Sequence, residues 1–101
     1  MPKIYEYLGI LIYFYSREHD PIHIHASSGE KESRAEFFIT NGIISEIIIT
    51  NIRGKKPITG RKLKDFEKFL EVYADAIVQK WIDYFVLNKD VVFEKINKKI
   101  K

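Results

Sequence analysis

The stretch SRAEFFITNGIISEIIITNI, residues 33–52, decides the fold. Two runs of β-branched and aromatic residues flank Asn41-Gly42, a pair that accepts the positive φ a type I′ turn requires, so the stretch predicts a β-hairpin. In the first run, Ser33 to Thr40, alternation makes Ala35, Phe37 and Ile39 the inward set; Ile43 to Ile52 is the returning strand. Upstream, Ile22 to Ala26 alternates in the same way, with Ile22, Ile24 and Ala26 on one face and His23 and His25 on the other. Ser27, Ser28 and Gly29 are the expected turn after it, and Ser16 to Pro21 the polar connection before it. Earlier still, Lys3 to Tyr7 and Ile10 to Tyr15 are expected to pair around a Leu8-Gly9 break. Ile10, Ile12 and Phe14 share one face of the second run and Leu11, Tyr13 and Tyr15 the other. Neither face is strongly polar, which places this strand inside a sheet.

Downstream of the hairpin the texture changes. Gly54, Pro57 and Gly60 punctuate a basic loop, and apolar residues then recur at Leu63, Phe66, Leu70, Tyr73, Ile77, Trp81 and Tyr84. Steps of three and four describe one stripe of an α-helix, with Thr59 as N-cap and Asn88 as stop. From Gly60 to Leu87 it would be about 40 Å long. The tail, Lys89 to Lys101, fits an extended or short helical segment. The expected architecture is α+β: a single domain over residues 1–101, an antiparallel sheet of about five strands with one long helix of the C-terminal half packed on one face.

Composition agrees with one compact core: of 101 residues 46% are apolar and 14% aromatic. The absence of cysteine excludes a disulfide scaffold, a thiolate zinc site and a cysteine nucleophile. The longest apolar stretch, Leu8 to Tyr15, is far shorter than the roughly 20 residues of a membrane span, and no basic leader precedes it. A soluble cytoplasmic protein without a membrane partner is expected.

Charge is divided along the chain. Met1 to Ile52 holds four basic and seven acidic residues, whereas Arg53 to Lys101 holds thirteen and seven. Arg53, Lys55, Lys56, Arg61, Lys62 and Lys64 cluster without an acid among them at the entry to the helix, where unpaired backbone amides already favour an anion. One reading is a salt-sensitive backbone contact to RNA or DNA through Arg53, Lys55, Lys56, Arg61 and Lys62; the other is a solvated loop. The lysines of the tail carry less weight, because basic termini commonly stay solvated.

All three histidines fall in the string His19-Asp20-Pro21-Ile22-His23-Ile24-His25. On a strand, His23 and His25 project from the same side with roughly 7 Å between Cα atoms, and Pro21, lacking an N–H, marks where the strand begins. His19 can fold back towards them. Three readings follow. The pair can act as base and acid in phosphodiester transfer, because imidazoles titrate near neutrality. It can ligate zinc or another transition ion with Asp20, Glu18 or a water completing the site. Or the rings can merely alternate with core isoleucines, half-packed against Tyr13 and Tyr15. Arg17, Arg34 and Glu36 are further candidates for the surroundings.

The opening Met1-Pro2-Lys3-Ile4, the Gly9 break, Tyr15-Ser16, the string from His19 to His25, and Trp81 with Tyr84-Phe85 late in the helix together resemble the bacterial domain-of-unknown-function family 4160. One proline precedes His23 where that family often has two, and Ala26 stands where a valine is common. The resemblance implies a small domain encoded beside another small protein, in arrangements suggestive of toxin–antitoxin pairs, and singles out His23 and His25. The expectation is therefore a toxin–antitoxin component acting on RNA or on a dedicated neighbour-encoded protein. As a metal-independent ribonuclease it would divide base and acid roles between His23 and His25, with His19 nearby and Arg17 or Arg34 stabilising phosphorane charge. The alternative is a non-catalytic protein-binding module, or a metal-binding one with zinc at His23 and His25. Both chemical readings need the two rings aimed the same way and within reach of water.

Overall fold

The computed structural model describes residues 2–14 and 22–100. Five strands precede the helix: β1 (Lys3–Tyr7), β2 (Ile10–Tyr13), β3 (Ile22–Ser28), β4 (Lys31–Thr40) and β5 (Ile43–Asn51). The helix α1 spans Gly60–Phe85 and a short β6 (Glu94–Ile96) follows. The sheet order is β5-β4-β3-β2-β1-β6, antiparallel throughout except that β6 runs parallel to β1. The expected α+β architecture is thus present, with a sixth strand that the tail supplies.

Two tight turns explain the hairpins. Leu8 and Gly9 have φ of 47° and 82°, and Asn41 and Gly42 have 54° and 78°, the left-handed pair of a type I′ turn. The turn after β3 differs from expectation: Ser27 and Ser28 continue the strand, pairing with Glu32 and Lys31, so that Gly29 and Glu30 alone reverse the chain. Two serines do not stop a strand when the next strand can pair with them.

α1 lies on the sheet face formed by Tyr5, Tyr7, Ile10, Ile12, Ile24, Ala26, Ala35 and Phe37, and buries Phe66, Phe69, Leu70, Ile77, Val78 and Trp81 against it. Phe69 sits at the centre, with ring centroids 5.3 Å from Tyr5, 5.1 Å from Tyr7 and 4.5 Å from Tyr73. Phe14 meets Tyr84 and Phe85 at the other end of the helix. The stripe is wider than the expected one, since Phe69 and Val78 join it, while Leu63, Tyr73 and Tyr84 are only partly buried. Thr59 is the N-cap as expected, but its Oγ1 accepts from Lys31 Nζ rather than from the helix. Asn88, at φ 55°, lies three residues past the last helical residue, so the helix stops slightly before Leu87. Among the described residues no helix is long and apolar enough to cross a membrane.

β6 is pinned by the helix. Lys80 Nζ donates to the Val92 carbonyl at 2.7 Å, pairs with Glu94 at 2.9 Å and lies 5.0 Å from the centroid of the Tyr5 ring. Burial, followed by the negative charge of Glu94, pushes the Tyr5 phenol up to about 12.

Candidate functional site

The sheet face away from α1 is built by register. Lys3 pairs with Tyr13, Tyr13 with His25, His25 with Arg34 and Arg34 with Thr50, so these five side chains form one row across five strands. Directly paired residues have Cβ atoms about 5 Å apart and share a face. Beside that row His23 pairs with Glu36. Lys3 reaches the row because β1 carries an irregularity between Lys3 and Tyr5, which changes the face on which its first residue stands.

His23 and His25 are brought together as the alternation requires: their ring centroids are 5.7 Å apart. Tyr13 stacks on His25 at 5.7 Å, which places a phenol beside the pair. Both imidazoles make interactions beyond these. They are nearly closed off, each 4% exposed, so this arrangement does not give the access to water that both chemical readings need. Arg34 Nη2 lies 3.4 Å from Glu36 Oε1, and these two side chains remain 35% and 17% exposed. Arg34 Nε is buried without a hydrogen-bond partner among the described residues, a spare donor on the histidine face. His19 lies outside the described residues, as do Tyr15, Arg17, Glu18, Asp20 and Pro21. Among the described residues no group of three or more histidines and carboxylates is placed to hold a metal ion.

A recess opens next to Tyr13. A space of about 190 Å³ is lined by Lys3, Leu11, Tyr13 and Ser27. A wider one of about 790 Å³, bounded by Pro2, Lys3, Glu6, Gly9, Leu11, Val91 and Phe93, shares Lys3 and Leu11 with it. The two adjoin at Lys3 and Leu11 and form a groove along β2 from Tyr13 to Gly9, with Val91 and Phe93 of the tail as one wall. At the Leu8-Gly9 turn it meets the basic segment: Lys62 Nζ donates to the Leu8 carbonyl and lies 3.2 Å from where a Cβ on Gly9 would stand.

The basic segment itself does not surround the histidines. Arg53, Lys55, Lys56, Arg61 and Lys62 lie at the end of the sheet where β1–β2 and β3–β4 turn, exposed and without ion pairs among the described residues. The chain there is held by the Glu32 amide donating to the Lys56 carbonyl and by buried Ile58, whose amide donates to Ser33 Oγ at 3.0 Å. Lys62 alone connects it to the groove. Sequence reasoning missed Lys3 as a site residue, since only the β1 irregularity brings it beside Tyr13, and it missed the wall contributed by Val91 and Phe93.

The profile of a family described as Domain of unknown function (DUF4160) matches residues 9–82, which include the histidine strand, the hairpin and most of the helix. No curated protein and no solved structure matches the chain.

Proposed function

The chain belongs to the DUF4160 family, and from that premise we propose that it is a toxin–antitoxin component whose histidine face acts on RNA. The observation that carries this reading is the row Lys3–Tyr13–His25–Arg34, with His23 beside it, set at the end of a groove that leads to Lys62. It combines on one face two imidazoles able to take up or give a proton, cations for phosphate oxygens, and the Tyr13 ring.

The reaction requires the two imidazoles, each 4% exposed, to be uncovered when RNA binds; one then takes the proton of a ribose 2′-hydroxyl as that oxygen attacks the adjacent phosphorus. The other gives its proton to the departing 5′-oxygen, leaving a 2′,3′-cyclic phosphate and a free 5′-hydroxyl. Arg34, with its spare Nε donor, stabilises the charge that builds on the phosphorane oxygens. Lys3 and Lys62 hold neighbouring phosphates along the groove, and Phe93 offers a ring to a base.

Purified protein should cleave single-stranded RNA to cyclic-phosphate ends, and His23→Ala or His25→Ala should lower the rate by at least about 100-fold, the usual contribution of a general acid or base. Equal cleavage by wild type and both variants would remove the catalytic reading. The near-complete burial of the two imidazoles favours a second reading, in which they organise the face and the protein binds without cutting. That reading expects a stable complex with RNA or with a neighbour-encoded protein, no cleavage, and loss of affinity in Lys3→Ala and Arg34→Ala.

A further inference from the structure

The two edges of the sheet are unequal. One ends in the three-residue β6, pinned by Lys80. The other is β5, nine residues long, with sequence IISEIIITN and a single charge, Glu46. Among the described residues no strand pairs with its outer side. That leaves about 30 Å of strand with unpaired amides and carbonyls. The side chains along it are apolar and open: Ile43 is 70% exposed and Ile48 is also exposed, Ile44, Ile47 and Ile49 are half-buried on the helix side, and on the adjoining β4 Phe38 and Ile39 are exposed as well. Proteins usually blunt such an edge with charge, proline or a bulge. Here the only irregularity is at Ser45, which has no partner on β4 and whose Oγ donates to the Phe38 carbonyl, so the strand beyond it, from Glu46 to Asn51, is regular.

We infer that β5 pairs antiparallel with the β5 of a second copy of this chain, about a two-fold axis passing through Ile48. The occupant follows from the strand's own sequence. In this register Ile48 faces Ile48 of the other copy, Ile47 faces Ile49, and Glu46 faces Thr50. Isoleucines meet isoleucines on both faces, and the lone carboxylate meets a hydroxyl rather than another carboxylate, which is the pairing that stabilises a ladder. A two-fold axis perpendicular to the sheet keeps both helices on one side. The half-buried Ile47 and Ile49 of each copy then cover one another, and both histidine faces look the same way. The interface is isologous, and with β6 closing each far edge the assembly stops at two copies.

The chain lacks cysteine, so a single introduced thiol reports the register cleanly. Wild-type protein is expected to sediment as a dimer, and Ile48→Lys, which sets two ammonium groups against each other at the axis while facing Glu36 within its own chain, as a folded monomer with unchanged far-ultraviolet circular dichroism. Under mild oxidant Ile48→Cys should form a disulfide-linked dimer quickly, whereas Ile43→Cys, more exposed but off the axis, should not. A monomeric wild type at its highest soluble concentration, or equally fast cross-linking of the two cysteine variants, overturns the proposal. So does a β5 edge that pairs only with a different protein when the two are co-expressed. None of these outcomes depends on activity towards RNA.

Discussion

β3 closes both of its faces, and with opposite materials. Ile24 and Ala26 are fully buried under α1, while His23 and His25, one backbone position away and so on the far side, are 4% exposed. On the near face, burial transfers apolar surface out of water and packs it against Phe69 and its neighbours, so it contributes stability directly. On the far face the buried groups are polar, and an imbalance in their hydrogen bonds would cost what burial of carbon gains. Equal burial therefore rests on two different balances: on one face burial of carbon contributes stability outright, and on the other it must be matched by polar partners.

The comparison predicts its largest effect at the centre of the near face. Phe69→Ala should destabilise by about 3–5 kcal/mol, because three aromatic neighbours lose their common contact. Trp81→Ala should fall in the same range. Urea unfolding measures both, and a loss below about 1 kcal/mol for Phe69→Ala would mean that the helix does not seat on the sheet through this ring.

The next effect sets the two faces of β3 against each other. Ile24→Ala should cost about 2–5 kcal/mol. His25→Phe keeps a planar ring against Tyr13 but removes the imidazole nitrogens, so it should cost less than Ile24→Ala, about 1–3 kcal/mol for a lost buried polar interaction, and should abolish the proposed RNA cleavage. If both variants lost equal stability, the far face would be core of the same kind as the near one, and the contrast between the two balances would fail.

How much of this was legible in the sequence follows from the range of each signal. The hairpin at Asn41-Gly42, the Leu8-Gly9 turn and the helical stripe depend on neighbours a few residues apart, and local periodicity records those. His23 and His25 share a face for the same reason. The row they join does not follow from local pattern: Tyr13 meets His25 through the β2–β3 register, and Lys3 meets Tyr13 only because β1 is irregular after its first residue. β6 was ambiguous because three residues carry too little pattern to separate strand from helix, and its place beside β1 is set by Lys80 from the helix. The placement of the basic segment away from the imidazoles rests likewise on tertiary contacts, those of Ile58 and Lys56.

Alkali should act on the near face through Tyr5. Its phenol is pushed up to about 12 from an ordinary 10, by burial and then by Glu94, so the folded chain holds that proton more firmly than the unfolded one. The stabilisation is complete below pH 10 and is lost as the pH rises from 10 to 12, amounting to about 2–3 kcal/mol at most. Tyr5→Phe should remove this part of the pH slope while leaving the slope below pH 9 unchanged. An identical profile for the variant between pH 10 and 12 would place the alkaline transition elsewhere.

The smallest effect tests whether the two faces communicate. Lys80 belongs to the helix, yet through the Val92 carbonyl and Glu94 it holds the tail whose Val91 and Phe93 wall the groove on the far face. Lys80→Met retains most of the apolar stem and removes the ammonium, so it should cost about 1–2 kcal/mol, less than any core truncation. Amide exchange in residues 94–96 should speed up while exchange in β3 and β4 stays slow, because only a three-residue parallel pairing depends on this contact. If the groove takes RNA as proposed, RNA should bind more weakly with the wall loosened although no residue of the histidine row has changed. Faster exchange with unaltered RNA affinity would show that the tail is not a wall of the binding groove, and would confine the site to the row from Lys3 to Arg34.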